Sequence, residues 1–126
     1  MNTYYGYTRT GWEKAKDEAR EALTEIARPD QGLTITYSAL TKRISAITIE
    51  PHSYAMAALL GEISTDDHDH GLGMRSALVV SAVDGRAGSG FFALARQLGE
   101  MVADEDDFWL RELKKVHADW QDRPAH

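Results

Sequence analysis

Apolar positions fall into blocks whose spacing changes along the chain. Trp12, Ala15, Ala19, Leu23 and Ile26 recur at steps of three and four, which predicts an amphipathic helix over residues 10–27. Thr10 is placed to cap it, and Pro29 with Gly32 to stop it. Leu33-Thr34-Ile35 reads as a short extended piece. Thr36 then opens a helix through Tyr37, Leu40 and Ile44, and residues 45–51 form a connection. Ser53 caps the next helix, whose stripe is Met56, Leu59, Leu60 and Ile63. The polar run 65–71 ends in Gly71, suited to a helix terminus or turn.

The pattern then changes period. Residues 76–82, Ser-Ala-Leu-Val-Val-Ser-Ala, make the best strand candidate, and Asp84-Gly85 is a strong hairpin signal. The return strand from Arg86 must be brief, because Gly88-Ser89-Gly90 interrupts it. Phe91, Leu94, Ala95, Leu98 and Val102 resume helical spacing. Asp104 to Asp107 open a last helix with Leu110, Leu113, Val116 or His117, and Trp120 inward. The expectation is an α+β, mainly helical single domain, 1–126. It has a winged-helix-like centre (two helices plus a β-hairpin) and flanking N- and C-terminal helices, with a flexible arm at 1–8 and tail at 121–126.

Composition narrows the class. A hydrophobic fraction of 43% and a charged fraction of 27% are those of a globular chain. With no cysteine there is no disulfide, zinc–thiolate site or thiol nucleophile. No apolar run nears the roughly 20 residues of a bilayer span, and the first residues lack the regions of a signal peptide, so a cytoplasmic address and no membrane partner are expected. The net charge of −6 is concentrated in the last quarter, which argues against tight nucleic-acid binding. Lys42, Arg43, Arg75 and Arg86 are the basic side chains placed to touch phosphate. Contacts of that kind without basic excess give weak, salt-sensitive affinity.

Residues 34–80 resemble the DNA-binding domain of alkylguanine-DNA alkyltransferases and their alkyltransferase-like relatives. The likeness is carried by Thr36-Tyr37-Ser38-Ala39-Leu40, by the helix Ala55-Met56-Ala57-Ala58-Leu59-Leu60-Gly61, and by Leu78-Val79-Val80 leading to Asp84-Gly85. It implies a winged-helix-like fold that holds a duplex. The family's Pro-Cys-His-Arg run is replaced by Arg75-Ser76-Ala77-Leu78, so there is no alkyl acceptor and alkyl transfer is excluded. The arginine of the family's recognition helix has no counterpart around Met56. Residues 50–120 are also similar to a group of small uncharacterised proteins of bacteria and their phages. That likeness is carried by Glu62-Ile63-Ser64 with His68 and Gly71, by the strand at 76–80, by Gly90-Phe91-Phe92-Ala93-Leu94-Ala95, and by Phe108-Trp109 with Glu112-Leu113 and Trp120. It implies a common fold and a phage or mobile-element setting.

Three groups of residues carry candidate chemistry. Asp66, His68 and His70, within the run 66–70, are oxygen and imidazole ligands suited to a divalent metal, with Glu62, His52 or His117 as a second source; a solvated loop in an acidic protein is the simpler explanation of the run. Gly85-Arg86-Ala87-Gly88-Ser89-Gly90 before a helix offers backbone N–H groups to an anion, with Arg86 and Ser89 contributing, or else is a wing with Ser89 as helix cap. Phe92 and Trp109 each sit beside another aromatic on a helix, so both members of a pair cannot enter one core. Core packing is the leading expectation, with one of each pair covering the first helix or forming a contact surface for a protein partner or a second copy as the alternative. Ser76 lies at a strand start, where backbone satisfies a serine, and no catalytic residue is assigned. No resident cofactor is expected beyond such a metal. The chain is read as a binding or regulatory module recognising protein or, weakly, nucleic acid; the alternative is a metal-dependent hydrolase using the cluster at 66–70.

Overall fold

In the computed structural model, residues 4–29 and 33–125 are described. Gly32, the first three residues of the arm and the last of the tail lie outside them.

The first helix, α1 (Arg9–Ala27), starts one residue earlier than its pattern suggests. Thr8, not Thr10, is its cap, and the Thr8 hydroxyl accepts from the Gly11 amide at 3.1 Å. The stripe Trp12, Ala15, Ala19 and Leu23 is fully buried, and its alanines let neighbouring segments approach closely. Ahead of it, Tyr4 and Tyr7 exchange backbone hydrogen bonds around a tight turn. The rings of Tyr5 and Tyr7 lie 5.0 and 6.1 Å from that of Trp12.

Thr36 ends the two-residue strand β1 (Ile35–Thr36) and caps α2 (Tyr37–Lys42). This helix stops short of Ile44, where Arg43 and Ile44 turn back onto Leu40 and Thr41. The connection that follows is pinned by Glu18 of α1, whose carboxylate accepts from the Ser45 and Ala46 amides and the Ser45 hydroxyl.

Ser53 caps α3 (Tyr54–Asp69). The polar run expected as a loop is its last turns. The buried face continues from Ile63 to Ser64 and Asp67 at helical spacing, and Asp67 finds a buried cation there, so polarity does not end the helix. Gly71, with φ +72°, does: the Leu72 amide returns to the Asp67 carbonyl and the Gly71 amide to that of His68.

The expected strand at 76–82 is only partly formed. Arg75–Leu78 winds into a 3₁₀ turn, and β2 is Val79–Val80 alone. The cause lies in α3. The Arg75 amide is taken by the Asp67 carboxylate at 2.9 Å and the Ser76 amide by the Ser64 hydroxyl at 3.1 Å, so both are withdrawn from any ladder. β2 pairs in parallel with β1, Ile35 beside Val79 and Thr36 beside Val80. The hairpin of the winged-helix centre is therefore absent among the described residues. Asp84-Gly85 does turn, with φ +67° at Gly85, but the loop closes on itself through Ser81 and Arg86. The fold is the expected mainly helical α+β domain without a wing.

Two helices complete it, α4 (Ser89–Gln97) and α5 (Glu105–Trp120), the latter capped by Asp104. The 3₁₀ turn is packed between α1, α3 and α5, so the least regular segment sits at the centre. Gly73 makes this possible: a β-carbon there would lie 2.6 Å from the Val116 amide nitrogen of α5. No helix among the described residues is long and apolar enough to cross a membrane.

Candidate ligand groove

The basic side chains do not form a common face for phosphate. Arg75 is 2% exposed and bound to Asp67, which removes it from any surface contact. Arg43 pairs with Glu25, and Arg86 pairs with Asp106 at the start of α5. Lys42 is exposed at the end of α2. Ser89 is exposed as the first residue of α4 but does not cap it; Gly88 holds that position, with no side-chain bond.

The residues proposed for a metal point apart. Asp66 faces Arg20 at 3.4 Å, and His68 Nε2 lies 3.3 Å from Glu100. His70 turns its Nδ1 back to the Asp66 carbonyl at 2.8 Å. Because the run is helical, successive side chains diverge by about 100°. The second sources are engaged elsewhere: Glu62 by Trp12 and Lys16, His117 by the Ala27 and Leu33 carbonyls, His52 by the Tyr37 ring. Among the described residues no three His, Asp or Glu side chains converge as a metal would need.

The aromatic contact surface is also displaced inward. Phe91 and Phe92 are both buried, because α4 is covered on one side by α3 and meets Phe108 of α5 on another. Trp109 is half-buried, and its indole N–H donates to the Ala77 carbonyl at 2.9 Å.

What the fold does assemble is a groove of about 580 Å³ between the N-terminal half of α3 and the length of α4. This lies within the usual range for small-molecule sites, roughly 300–1,000 Å³. Leu60, Phe91 and Leu94 give it apolar walls, and Tyr37, Ser53, Ser76, Ser81 and Ser89 bring hydroxyls to it. His52 and Gln97 also line it. Among the described residues no Asp, Glu, Lys or Arg does, in a chain of which 27% is charged.

Tyr37 is its best-defined polar group. Burial pushes the phenol above its ordinary value, and a bond from the Gly88 backbone offsets part of that rise. A β-carbon at Gly88 would lie 3.0 Å from the Tyr37 oxygen, so glycine makes this approach possible. The Tyr37 and His52 rings are 5.1 Å apart and tilted by 49°.

A larger cavity of about 870 Å³ is walled by Asp17, Arg20, Asp66, Asp67, Arg75 and Trp120, among others. Its charges are largely bound to one another, Arg20 to Asp17 and Asp66 and Arg75 to Asp67. A ligand there would have to break existing ion pairs, which makes it the poorer site.

Tyr37 and Ser81 are not legible as site residues, and His52 only as a second source of metal ligands. The available signal was small side chains at helical spacing, Ala57 with Gly61 on α3 and Gly90 with Ala93 and Gln97 on α4, which leave a hollow between helices. No protein-family model, curated protein or solved structure matches the chain, so the groove stands on its geometry alone.

Proposed function

We propose that this protein is a binding module, the role its sequence suggests, and that its ligand sits in the groove between α3 and α4 and not on a basic face. The supporting observation is the uncharged lining: apolar walls with several hydroxyls and no competing ion pairs form a ready receptor for a small ligand. Nucleic-acid recognition loses its footing in the same geometry. Phosphate would have to displace carboxylates from Arg43 and Arg86 on a chain of net charge −6. The hydrolase reading finds no converging ligands among the described residues.

The test is a titration of the full chain with a mixture of small ring compounds, followed by amide chemical shifts. Shifts gathered at residues 53–61 and 88–97, and lost in an Ala57→Trp variant that keeps its melting temperature, are expected. Shifts gathered instead at the larger cavity, or unchanged by Ala57→Trp, would sink the proposal.

A second reading, self-association, rests on Tyr54 and Tyr5. They are 80% and 47% exposed, with ring centroids 5.6 Å apart. The turn between Tyr4 and Tyr7 sets Tyr5 at φ +58° and leaves the Tyr5 and Tyr54 rings side by side on the surface. Sedimentation should then show a concentration-dependent dimer that Tyr54→Ser abolishes; a monomer at high concentration rejects it.

A further inference from the structure

The floor of the groove says what chemistry it accepts. Ser76 is 6% exposed, yet it lines the cavity. Its amide donates to the Ser64 hydroxyl at 3.1 Å, and that hydroxyl donates in turn to the Ser76 oxygen at 2.6 Å. Two hydroxyls share one bond here, so one O–H of the pair is left over, and Ser76, the member that lines the groove, can offer it to an acceptor there. A buried donor of this kind gains most when a ligand oxygen meets it, because water access is poor.

From this we infer that the groove selects an uncharged ring compound bearing a carbonyl, of the aromatic carboxamide class, and discriminates against the corresponding carboxylate. The inference rests on the groove being the ligand site. Tyr37, His52 and Phe91 put three aromatic rings among the lining residues, a setting suited to a ring. The ligand carbonyl would take the Ser76 proton, while its amide N–H groups have hydroxyl and amide oxygens of Ser53, Ser81 and Gln97 as acceptors.

Charge decides between amide and acid. A carboxylate entering the groove loses hydration and meets no lysine or arginine among the lining residues, and an unpaired charge is costly to bury. The first amides of α4 would favour an anion, and this is the competing effect. They open beside the exposed Ser89 and Gly90, where water screens them, whereas Ser76 lies at the buried end. The neutral ligand therefore keeps the hydrogen bond to Ser76 without the desolvation cost.

Nicotinamide and nicotinate share a ring and differ in this respect, and they are the probes. Each is titrated at neutral pH into the full chain, into Ala57→Trp and into Ser76→Ala, with amide shifts as the readout and the variants' spectra as a check of folding. Nicotinamide should move resonances at 57–61 and 88–97, with nicotinate about tenfold weaker or more, equivalent to ~1.4 kcal/mol. Ser76→Ala should weaken nicotinamide binding severalfold, as the loss of its hydrogen-bond donor requires; where this variant fails to fold, the ratio between the two probes on the native chain decides alone. Nicotinate binding in the groove as well as or better than the amide overturns the inference and leaves the groove as the site. Shifts from the compound mixture with none from either probe also overturn the inference. Absence of groove shifts from all of them overturns both readings.

Discussion

Arg75 and Asp67 form an ion pair at the centre of the fold, with side chains 3% and 2% exposed. Asp67 accepts three hydrogen bonds from Arg75: one from the amide at 2.9 Å, one from Nε at 3.1 Å and one from Nη2 at 2.8 Å. Nη1 donates to the Thr24 hydroxyl of α1 and to the Ala125 carbonyl of the tail. The guanidinium lies 3.7 Å from the centre of the Trp120 ring. One side chain thus joins α1, α3, α5 and the C-terminal segment, with bidentate geometry that meets much of the desolvation cost.

Removing one partner should be far worse than removing both. Arg75→Met leaves a buried carboxylate unpaired and should cost about 3–5 kcal/mol in chemical denaturation. The double variant Arg75→Met/Asp67→Leu should recover a good part of that loss, because no orphan charge remains. Additive costs from Arg75→Met and Asp67→Leu would show that the pair is not coupled as described.

This pair also explains where sequence reading succeeds and fails. The helix stripes at 12–26 and 56–63 were legible because one periodic face meets one core, and Thr36, Ser53 and Gly71 act as their residue types lead one to expect. Residues 66–70 and 76–78 were misread because their conformation is set by partners distant in sequence. Asp67 stays helical through Arg75, and Arg75 and Ser76 leave the strand through Asp67 and Ser64. A run of β-branched residues reports a preference for extended backbone, but not which amides a neighbouring helix will claim. The groove was hidden for a related reason: its lining is gathered from segments distant in sequence, of which the Gly-Ser-Gly run at 88–90 alone stands out as a pattern.

The start of α1 gives a local test of cap assignment. Thr8→Ala removes the hydroxyl that accepts from Gly11 and should destabilise the protein by ~1 kcal/mol. Thr10→Ala, on the exposed first turn, should cost little, since alanine is the better helix former. Thermal melts of the two variants distinguish the positions, and a larger loss at Thr10 would contradict the cap.

Glu112 should make stability depend on pH in an unusual direction. Burial raises its carboxyl above the ordinary value, reinforced by Glu100 and opposed by the Met74 amide, Lys115 and His68. An acid with a raised folded-state value favours the protonated form in the fold, so stability is lost as pH rises from the unfolded value through the folded one. Glu112→Gln keeps an oxygen for the Met74 amide, bonded at 2.8 Å, without the charge. It should raise the melting temperature at neutral pH, with the gain vanishing in acid where both forms are neutral. A gain that grows as pH falls would reverse the assignment.

Two glycines should respond oppositely to alanine, and the contrast bears on function. At Gly73 a β-carbon would lie 2.6 Å from backbone of α5, which cannot move aside, so Gly73→Ala should cost at least ~2 kcal/mol. At Gly61, inside α3, a β-carbon meets nothing within 4 Å, and helix propensity alone should make Gly61→Ala stabilising by ~1 kcal/mol. Gly61 lines the groove, however, so the same methyl reduces its volume. The expected result is a higher melting temperature together with weaker nicotinamide binding. Such a split is what a residue kept small for a ligand predicts, since a purely structural glycine would lose stability on gaining a side chain. A variant that is more stable and binds unchanged would place the ligand away from α3.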